Sequence, residues 1–521
     1  MDNIPKFLRE ILYKKNIKNQ REIQKFLYPT LNDLSQPNII ETIELASEEI
    51  IKSIEKKEKI FIYGDGDIDG IAGVFFILKF LQDKNVEFNY YLTSRFEDYE
   101  IEEELVDYFL KERYKLIILV DIGVSSYKFL KRCAENNLKV IVIDHHQTEI
   151  EYLPEKHIYI HPILSSKGID FSATGLSLKL FQDLVSNYYP FSLSDYICIA
   201  GLATLNENVK LTDDNRIFVK EMMKNLKNSK IKGLNFLVSK YLNDREIKVE
   251  DIKIKINPKL NSPGRFGKPI VSLHLLLEEE EKEIENLLKE IEQLDRKRYQ
   301  IIKKVTKSIE NKYGFENRFI IFDDLPESLC GIISSRLVER FNLPFLVMSK
   351  KKDIIKGSGR APDNFNLYEN MKKIKDKFLS FGGHKNAIGF KFNVKDKEEI
   401  ENYWKNLKIE NLSKNQEYFD TILDIEDIKP EIFEYLNLLK PYGKGNNPPV
   451  FLSKNVLIKK IKKGNEDIYW AKKGNSIFEC KVEKNKLKEE IRDIFYTPEI
   501  KKIDGYYKII LVIRGPSLEE F

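Results

Sequence analysis

Two segments of the chain gather side chains that bind hard divalent cations. Asp65, Asp67 and Asp69 alternate with Gly64, Gly66, Ile68 and Gly70 in GDGDIDG, and Asp144 precedes His145-His146 in a chain with only six histidines. Carboxylates at this spacing offer oxygen ligands, and the glycines let the backbone turn sharply between them. Acidic turns of this kind also cap helices or simply face water. Placement decides between the readings. Ile60–Tyr63 (IFIY) runs into Asp65, Leu116–Val120 (LIILV) into Asp121, Val140–Ile143 (VIVI) into Asp144, and the apolar run Tyr196–Leu205 (YICIAGLATL) is followed by Glu207. Read as strands of one parallel sheet, these runs deliver every acid and imidazole to the carboxyl edge, where open α/β sheets bind ligands. One core and one surface histidine would be the plain alternative for the pair, and this convergence argues against it.

Mixed carboxylate and imidazole ligands suit Mn²⁺ or Mg²⁺, with Zn²⁺ and Fe²⁺ also compatible. So many acids imply two ions, about 3.5–4 Å apart, sharing a carboxylate. Asp121 is the expected bridge, since its strand lies between the other contributors. Such a pair makes hydroxide available near neutral pH and offsets charge on an in-line phosphoryl transition state.

The elements that must position these groups alternate. Segments such as Ile71–Asp83, Ser125–Asn137 and Ala173–Ser186 read as helices between the apolar runs, which predicts βαβ units and a parallel sheet covered on both faces. Residues 1–55 read as a helical lead-in with a break at Tyr28–Pro37. Residues 215 to about 250 read as helical and basic, and Asn257–Pro269 (NPKLNSPGRFGKP) as a Pro/Gly loop. Glu278 to about Lys312 reads as one charged helix, with Ile284, Leu287, Leu288, Ile291 and Leu294 at helical spacing. At 1.5 Å per residue it would span about 50 Å, a connector rather than a domain helix. A second α/β segment follows at about 316–397, then a strand-rich segment at about 415–521 with the turn Pro441–Pro449, which suggests a small β-barrel.

Bulk properties set outer limits. The 521 residues predict about three to four domains. With 42% hydrophobic and 12% aromatic residues the chain can bury several cores, so a disordered or disulfide-framed protein is excluded. Lys plus Arg number 86 against 82 Asp plus Glu, a formal charge of +4, so nucleic-acid binding would need locally gathered charge. The longest apolar stretch, Ile71–Leu78, falls far short of the roughly 18 residues of a membrane span, and the N-terminus has no signal-peptide pattern. The scattered cysteines Cys133, Cys198, Cys330 and Cys480 read as reduced buried thiols, which points to a cytoplasmic protein.

The motifs YGDGDIDG, LVDIG and VIDHH resemble those of the DHH phosphoesterases. FLYPTLNDLSQP, NPKLNSPGRFGKP, GIISSRLVERF, GSGRAPDNFNLYE, FGGHKNAIGF and LKPYGKGNNPPVF extend the resemblance, in order, from about residue 20 to 455, and narrow it to the RecJ-type single-strand exonucleases. The resemblance implies a helical lead-in (1–55), a parallel-sheet DHH domain (56–215), a helical linker with a phosphate loop and the connector helix (216–313), a smaller α/β DHHA1 domain (314–400) and an OB-like barrel (401–521). It implies metal ligation by Asp67, Asp69, Asp121 and His145, with Asp65 in or just behind that set and Glu207 completing it. His146 would face the scissile phosphate and Asp144 would orient a histidine. Arg265, Ser358 and Arg360 would hold phosphates or the 5′ end, and His384 would contact the strand backbone. Arg336, read as lying at a helix start, would bind DNA or pair with a carboxylate.

Three departures stand out. Where the family has Ala-Asp-Val-x-Pro-Leu, alignment on Leu211 and Asn215-Arg216 puts Glu207 at the Asp, one methylene longer, and Lys210 at the Pro. Asn206 and Asn208 remain open as contributors. The histidine that precedes the family's Gly-Ile-Val-Ala-Ser-Arg-like run is replaced by Pro326, and the chain ends soon after the barrel. The function implied is a 5′-to-3′ exonuclease that uses two divalent ions (Mn²⁺ or Mg²⁺) to degrade single-stranded DNA to 5′-mononucleotides in repair and recombination. Alternatives are a phosphodiesterase for short oligonucleotides or cyclic dinucleotides, and a catalytically silent single-strand-binding scaffold. A monomer is expected, without membrane contact, with a single-strand-binding protein and a helicase as candidate partners. Domains arranged around a channel too narrow for duplex would select single strands. Lys454–Lys463 and Lys481–Lys488 read as a phosphate track or as solvated surface, and Tyr442, Phe451 and Tyr469 as base platforms or barrel core.

Overall fold

The computed structural model describes residues 4–94, 100–147, 153–186, 193–242, 247–312, 318–407, 419–463, 466–482, 490–503 and 506–514. Helices α1 (Lys6–Lys14), α2 (Gln20–Leu27) and α3 (Ile43–Glu55) lead in. Five strands follow, β1 (Lys59–Gly64), β2 (Phe88–Leu92), β3 (Tyr114–Val120), β4 (Lys139–Ile143) and β5 (Ile158–Ile160). They alternate with α4 (Ile68–Leu81), α5 (Leu105–Lys111) and α6 (Tyr127–Glu135) and form a parallel sheet of order β2-β1-β3-β4-β5. Phe61, Ile117, Leu119, Val140 and Val142 meet Val106, Phe109, Phe129 and Leu130 of α5 and α6 in one buried cluster. The alternate residues Ile60, Ile62, Ile118, Ile141 and Ile143 are fully buried too. Both faces are therefore covered, as continuous apolar runs require. The edge strands β2 and β5 were not legible in the sequence, because one is half-exposed and the other is three residues long.

Helices α7 (Ala173–Ser186), α8 (Leu193–Glu207), α9 (Asp213–Asn225), α10 (Lys232–Tyr241), α11 (Val249–Asp251), α12 (Asn257–Arg265), α13 (Ile270–Leu277) and α14 (Glu281–Lys312) come next. Two expectations are corrected here. Tyr196–Leu205 lies in a helix and not a strand; it is buried nearly all round, so its apolar run carries no period to tell the two apart. Asn257–Pro269 is mostly helix α12 and not a loop. Pro258 sits in its first turn, where a missing N–H costs nothing, and Asn257, Asn261 and Ser262 are buried with hydrogen-bond partners, so no apolar stripe marks it.

The connector α14 is pinned to α12 through Ser262, Asp295 and Arg298, and its far half buries Ile302 and Ile309 against the next sheet. That sheet comprises β6 (Phe319–Asp323), β7 (Phe345–Lys351), β8 (Ile354–Arg360), β9 (Ser380–His384) and β10 (Ala387–Asn393), in the order β6-β7-β8-β10-β9. Helix α15 (Cys330–Phe341) covers one face, and α16 (Leu367–Lys372) and α17 (Lys397–Asn406) the other. Arg336 is half-buried in mid-helix of α15, not at its start.

The remaining elements are β11 (Thr421–Ile422), α18 (Ile432–Leu439), β12 (Phe451–Lys463), β13 (Glu466–Lys473), β14 (Ser476–Val482), β15 (Ile491–Ile503) and β16 (Tyr506–Arg514). Strand β12 pairs with both β13 and β15, which closes β12-β13-β14-β16-β15 into a five-stranded barrel. Phe451 and Tyr469 are buried in its core and Tyr442 packs against it, so all three take the core reading. Lys454–Lys463 lies on β12, with the side chains of 461–463 outside the described residues, as are residues 483–488 of the second lysine run.

The chain divides into two compact units. One holds Ser35–Val209 and Asp214–Leu412, both sheets included; the other holds Met1–Leu34, Lys210–Asp213 and Ser413–Phe521. The lead-in expected at 1–55 thus divides: Leu8, Leu12, Ile23 and Leu27 of α1 and α2 share the barrel's core, whereas α3 belongs with the first sheet. Among the described residues no helix is long and apolar enough to cross a membrane.

Candidate metal centre

The parallel ladder sets the positions of the acids. Just past the strand ends, the N–H of Asp65 donates to Val120 O (3.0 Å), that of Asp121 to Ile143 O (2.8 Å) and that of Asp144 to Ile160 O (3.2 Å). Each strand therefore delivers its first polar residue to the same edge. Asp121 adopts φ 60°, a left-handed conformation that costs energy in a non-glycine residue and is concentrated at functional sites. Gly66 is required in the aspartate loop, because a Cβ there would lie 1.9 Å from Thr93 O.

Neighbouring groups aim each carboxylate. Thr93 Oγ1 donates to Asp65 Oδ1 (2.9 Å). Asp67 caps α4, accepting from the N–H of Asp69 (2.8 Å). Asp69 accepts from the N–H groups of Ala173 (2.8 Å) and Thr174 (2.9 Å) at the positive end of α7. Asp144 accepts from the N–H of Val124, His145 and His146, and its Oδ1 lies 2.7 Å from His146 Nδ1. His161 Nε2 bonds the carbonyl of His146 (2.9 Å) while its Nδ1 accepts from the N–H of Ile163 (3.2 Å), so the ring is neutral with the proton on Nε2.

These groups meet. His145 Nε2 lies 3.4 Å from Asp121 Oδ1, 3.6 Å from Asp69 Oδ2 and 4.0 Å from Glu207 Oε2. Three sets have ligand atoms mutually within 4.8 Å: Asp65, Asp67 and Asp121; Asp69, His145 and Glu207; and Asp121, His145 and His146. Asp121 belongs to two of them, as a bridging ligand must. Asp121 Oδ1 and His145 Nε2 are buried with no hydrogen-bond partner. Orphaned buried polar atoms are costly, and a cation between them satisfies both. The donor set, oxygens with imidazole, fits Mn²⁺ or Mg²⁺.

The electrostatics point the same way. Burial, then the charges of Asp69 and Asp67, hold Asp121 well above the usual carboxylate range. Burial, Asp67 and Asp69 push Glu207 up to about 7. Burial disfavours charge on Asp144 and His146 alike, yet each stabilises the other: Asp144 is held below its ordinary value and His146 is pushed up to about 9. The site is thus an excess of negative charge built to receive cations, beside one imidazolium.

Every sequence-predicted ligand lies in this centre, but Glu207 arrives differently from expectation, at the last turn of helix α8 and not after a strand. The predicted phosphate-binding groups lie elsewhere in the same unit. Arg360 Nη1 donates to Ser358 Oγ (2.6 Å) and Gly359 O (2.8 Å), with its Nη2 3.0 Å from where a Cβ on Gly331 would stand, in the first turn of α15. Arg265 Nη1 donates to Ser328 O (2.5 Å), and Ser328 Oγ returns a bond to Arg265 O (2.8 Å). Among the described residues, Arg336 makes no hydrogen bond to either group. The side chain of His384 lies outside the described residues. Sequence reading passed over Thr93, Asn261 and His161. His161 carried a usable signal, a polar residue straight after the short run IYI, as at the other strand ends.

Three family models match the chain: the DHH family N-terminal domain at residues 59–204, the DHHA1 domain at 317–408 and the RecJ OB domain at 419–515. The single-stranded-DNA-specific exonuclease RecJ of Bacillus subtilis is 28% identical over 477 residues, which is 88% of this chain and 60% of that protein. RecJ of Thermus thermophilus is 26% identical over 77% of this chain and 60% of its own length. The chain thus spans about three fifths of the length of these two relatives. A crystal structure of the Thermus thermophilus RecJ in complex with Mn²⁺ shares the fold, with a TM-score of 0.80 at 21% identity over 98% of this chain and 76% of that one. With matches to the DHH, DHHA1 and RecJ OB domain models in that order, the chain is similar over most of its length to RecJ-type proteins of the DHH/DHHA1 phosphoesterase superfamily.

Proposed function

We propose that the chain is a metal-dependent exonuclease that degrades single-stranded DNA from its 5′ end to 5′-mononucleotides. The observation that carries this reading is the convergence of Asp65, Asp67, Asp69, Asp121, His145 and Glu207 on one edge, with Asp121 Oδ1 and His145 Nε2 orphaned. These residues would hold two divalent ions, which would supply deprotonated water near neutral pH and charge neutralisation on the phosphoryl oxygens. The chain's own groups do the rest. Asp144 holds His146 through Nδ1 and favours its protonated form, in which Nε2 is free to donate to a non-bridging phosphate oxygen or the leaving 3′-oxygen. Helix α12 links this edge to the phosphate-binding groups: Gly264 packs on the Gly66 carbonyl, and its neighbour Arg265 reaches Ser328, near the first turn of α15 over which Arg360 lies. Arg265, Ser358 and Arg360 hold a terminal phosphate there, one geometry that enforces an exonuclease over an endonuclease.

The relatives from Bacillus subtilis and Thermus thermophilus are single-stranded-DNA-specific exonucleases, which supports single-stranded DNA as substrate. The closed barrel supports strand binding by its family. A role in repair and recombination, a cytoplasmic location, a monomeric state, and work beside a helicase and a single-strand-binding protein follow from the same reading. The test is a long single strand labelled at the 5′ or 3′ end, given with Mn²⁺, Mg²⁺ or chelator. We expect metal-dependent release of mononucleotides from the 5′ end, no action on blunt duplex, and loss of hydrolysis with strand binding kept in Asp121→Ala. Activity confined to dinucleotides would favour a small-substrate phosphodiesterase, and binding without hydrolysis under any metal would favour a silent scaffold.

A further inference from the structure

A line of hydrogen bonds joins the aspartate loop to Glu207 through two asparagines. The N–H of Ile68, between Asp67 and Asp69, donates to Asn261 Oδ1 (2.9 Å); Asn261 Nδ2 donates to Asn206 Oδ1 (2.7 Å); and Asn206 Nδ2 donates to Glu207 Oε1 (2.7 Å). We propose that Asn206 is a positioning residue that aims Glu207 at the metal pair, its own orientation set by Asn261. The inference rests on the metal-dependent reading given above and deepens it.

The direction of the line is forced. A backbone N–H can only donate, so the Ile68 end turns the oxygen of Asn261 toward the loop and its NH₂ toward Asn206. Asn206 must then accept with Oδ1 and present its own NH₂ to the carboxylate. Asn261 is buried, which removes water as a substitute partner. A bond to a charged carboxylate is about twice as strong as one between neutral groups. It commits Oε1 of Glu207 and leaves Oε2, 4.0 Å from His145 Nε2, on the ligand side.

The need for such a hold follows from the side chain. Glutamate has one more rotatable bond than the aspartate of the family pattern, so an unrestrained Glu207 would swing its carboxylate through several rotamers. Asn206, directly before Glu207, supplies the amide that restrains the added bond. Because the line begins on the aspartate loop, it also references Glu207, on α8, to Asp67 and Asp69, on α4, through α12.

The test is Mn²⁺ titration of the full chain followed by the electron paramagnetic resonance of free Mn²⁺, which reads binding without turnover. Asn206→Ala should weaken one Mn²⁺ by about tenfold in the parent, as loss of a partner behind a metal ligand does. In Glu207→Asp, whose shorter carboxylate withdraws from the amide, the same change should cost less than about twofold. An equal loss in both backgrounds would mark Asn206 as merely structural, and affinity unchanged by Asn206→Ala would also overturn the proposal. Glu207→Ala separates the two levels. If it weakens Mn²⁺ while Asn206→Ala does not, the relay fails and the metal centre stands; if Glu207→Ala binds both ions as the parent does, the centre as drawn fails and the relay with it.

Discussion

Replacing Asp121 with asparagine should make the metal-free protein more stable while destroying its response to Mn²⁺. Asp121 shares a 4.8 Å cluster with Asp65 and Asp67, and all three are buried. Two unit charges at that separation repel by about 3.5 kcal/mol with an effective dielectric of 20. Partial protonation relieves some of this cost, and the raised affinity of Asp121 for protons reports that relief. The net gain expected on removing the charge is about 1–3 kcal/mol, or about 1–4 °C in melting temperature for a unit of this size. Asparagine is isosteric and tolerates the left-handed backbone at φ 60°. The sign with pH follows. A carboxyl whose folded pKa lies above its unfolded value penalises the fold increasingly as pH rises above the ordinary range, so the advantage of Asn should be small near pH 4 and grow as the pH rises. The assay is thermal melting in chelator and in Mn²⁺. The parent should gain about 2.7 kcal/mol at a hundred times Kd, and the variant almost nothing. A variant less stable than the parent without metal, or one with the parent's full Mn²⁺ shift, would refute the reasoning.

Three further outcomes are expected. Because Glu207 is pushed up to about 7, the parent should release close to one proton more than Glu207→Gln when Mn²⁺ binds at pH 6 and about the same number at pH 8.5, as read by calorimetry in buffers of different ionisation enthalpy; no difference between the two at pH 6 would contradict the assignment. Gly264→Ala would place a Cβ 2.0 Å from Gly66 O, so it should cost about 2–3 kcal/mol in urea unfolding and weaken Mn²⁺ binding through the displaced aspartate loop. Lys179 and Asp214 form a fully buried pair at 2.8 Å, so Lys179→Met should lose about 3 kcal/mol by stranding Asp214, partly offset by its bonds from Ser35.

Much of the centre was legible because β-sheet periodicity and chemistry coincide at strand ends. The runs IFIY, LIILV and VIVI mark β1, β3 and β4 within a residue or two, and a parallel sheet needs its acids at one edge whatever else the chain does. Glu207 was found for the right chemistry on the wrong element. YICIAGLATL is apolar throughout because α8 is buried nearly all round, and burial on every side erases the helical period. Helix α12 was missed for the opposite reason. Its buried face mixes Leu260, Pro263 and Gly264 with Asn257, Asn261 and Ser262, and the partners of the polar three, Leu202, Asn206 and Asp295, are distant in sequence. Satisfied polar burial has no local signature, which is why the asparagine line behind Glu207 needed coordinates. The same holds for α1 and α2, whose apolar stripes show that they pack but not that their partner is a barrel roughly 400 residues away in the chain.

The most direct test of the account is diffraction from crystals of the full chain grown with Mn²⁺, with data collected at the manganese absorption edge. Two anomalous peaks about 3.5–4 Å apart are predicted, both touching Asp121, with His145 and Glu207 on one and Asp65 or Asp67 on the other. A single peak not shared by Asp121, or manganese bound away from these residues, would contradict it.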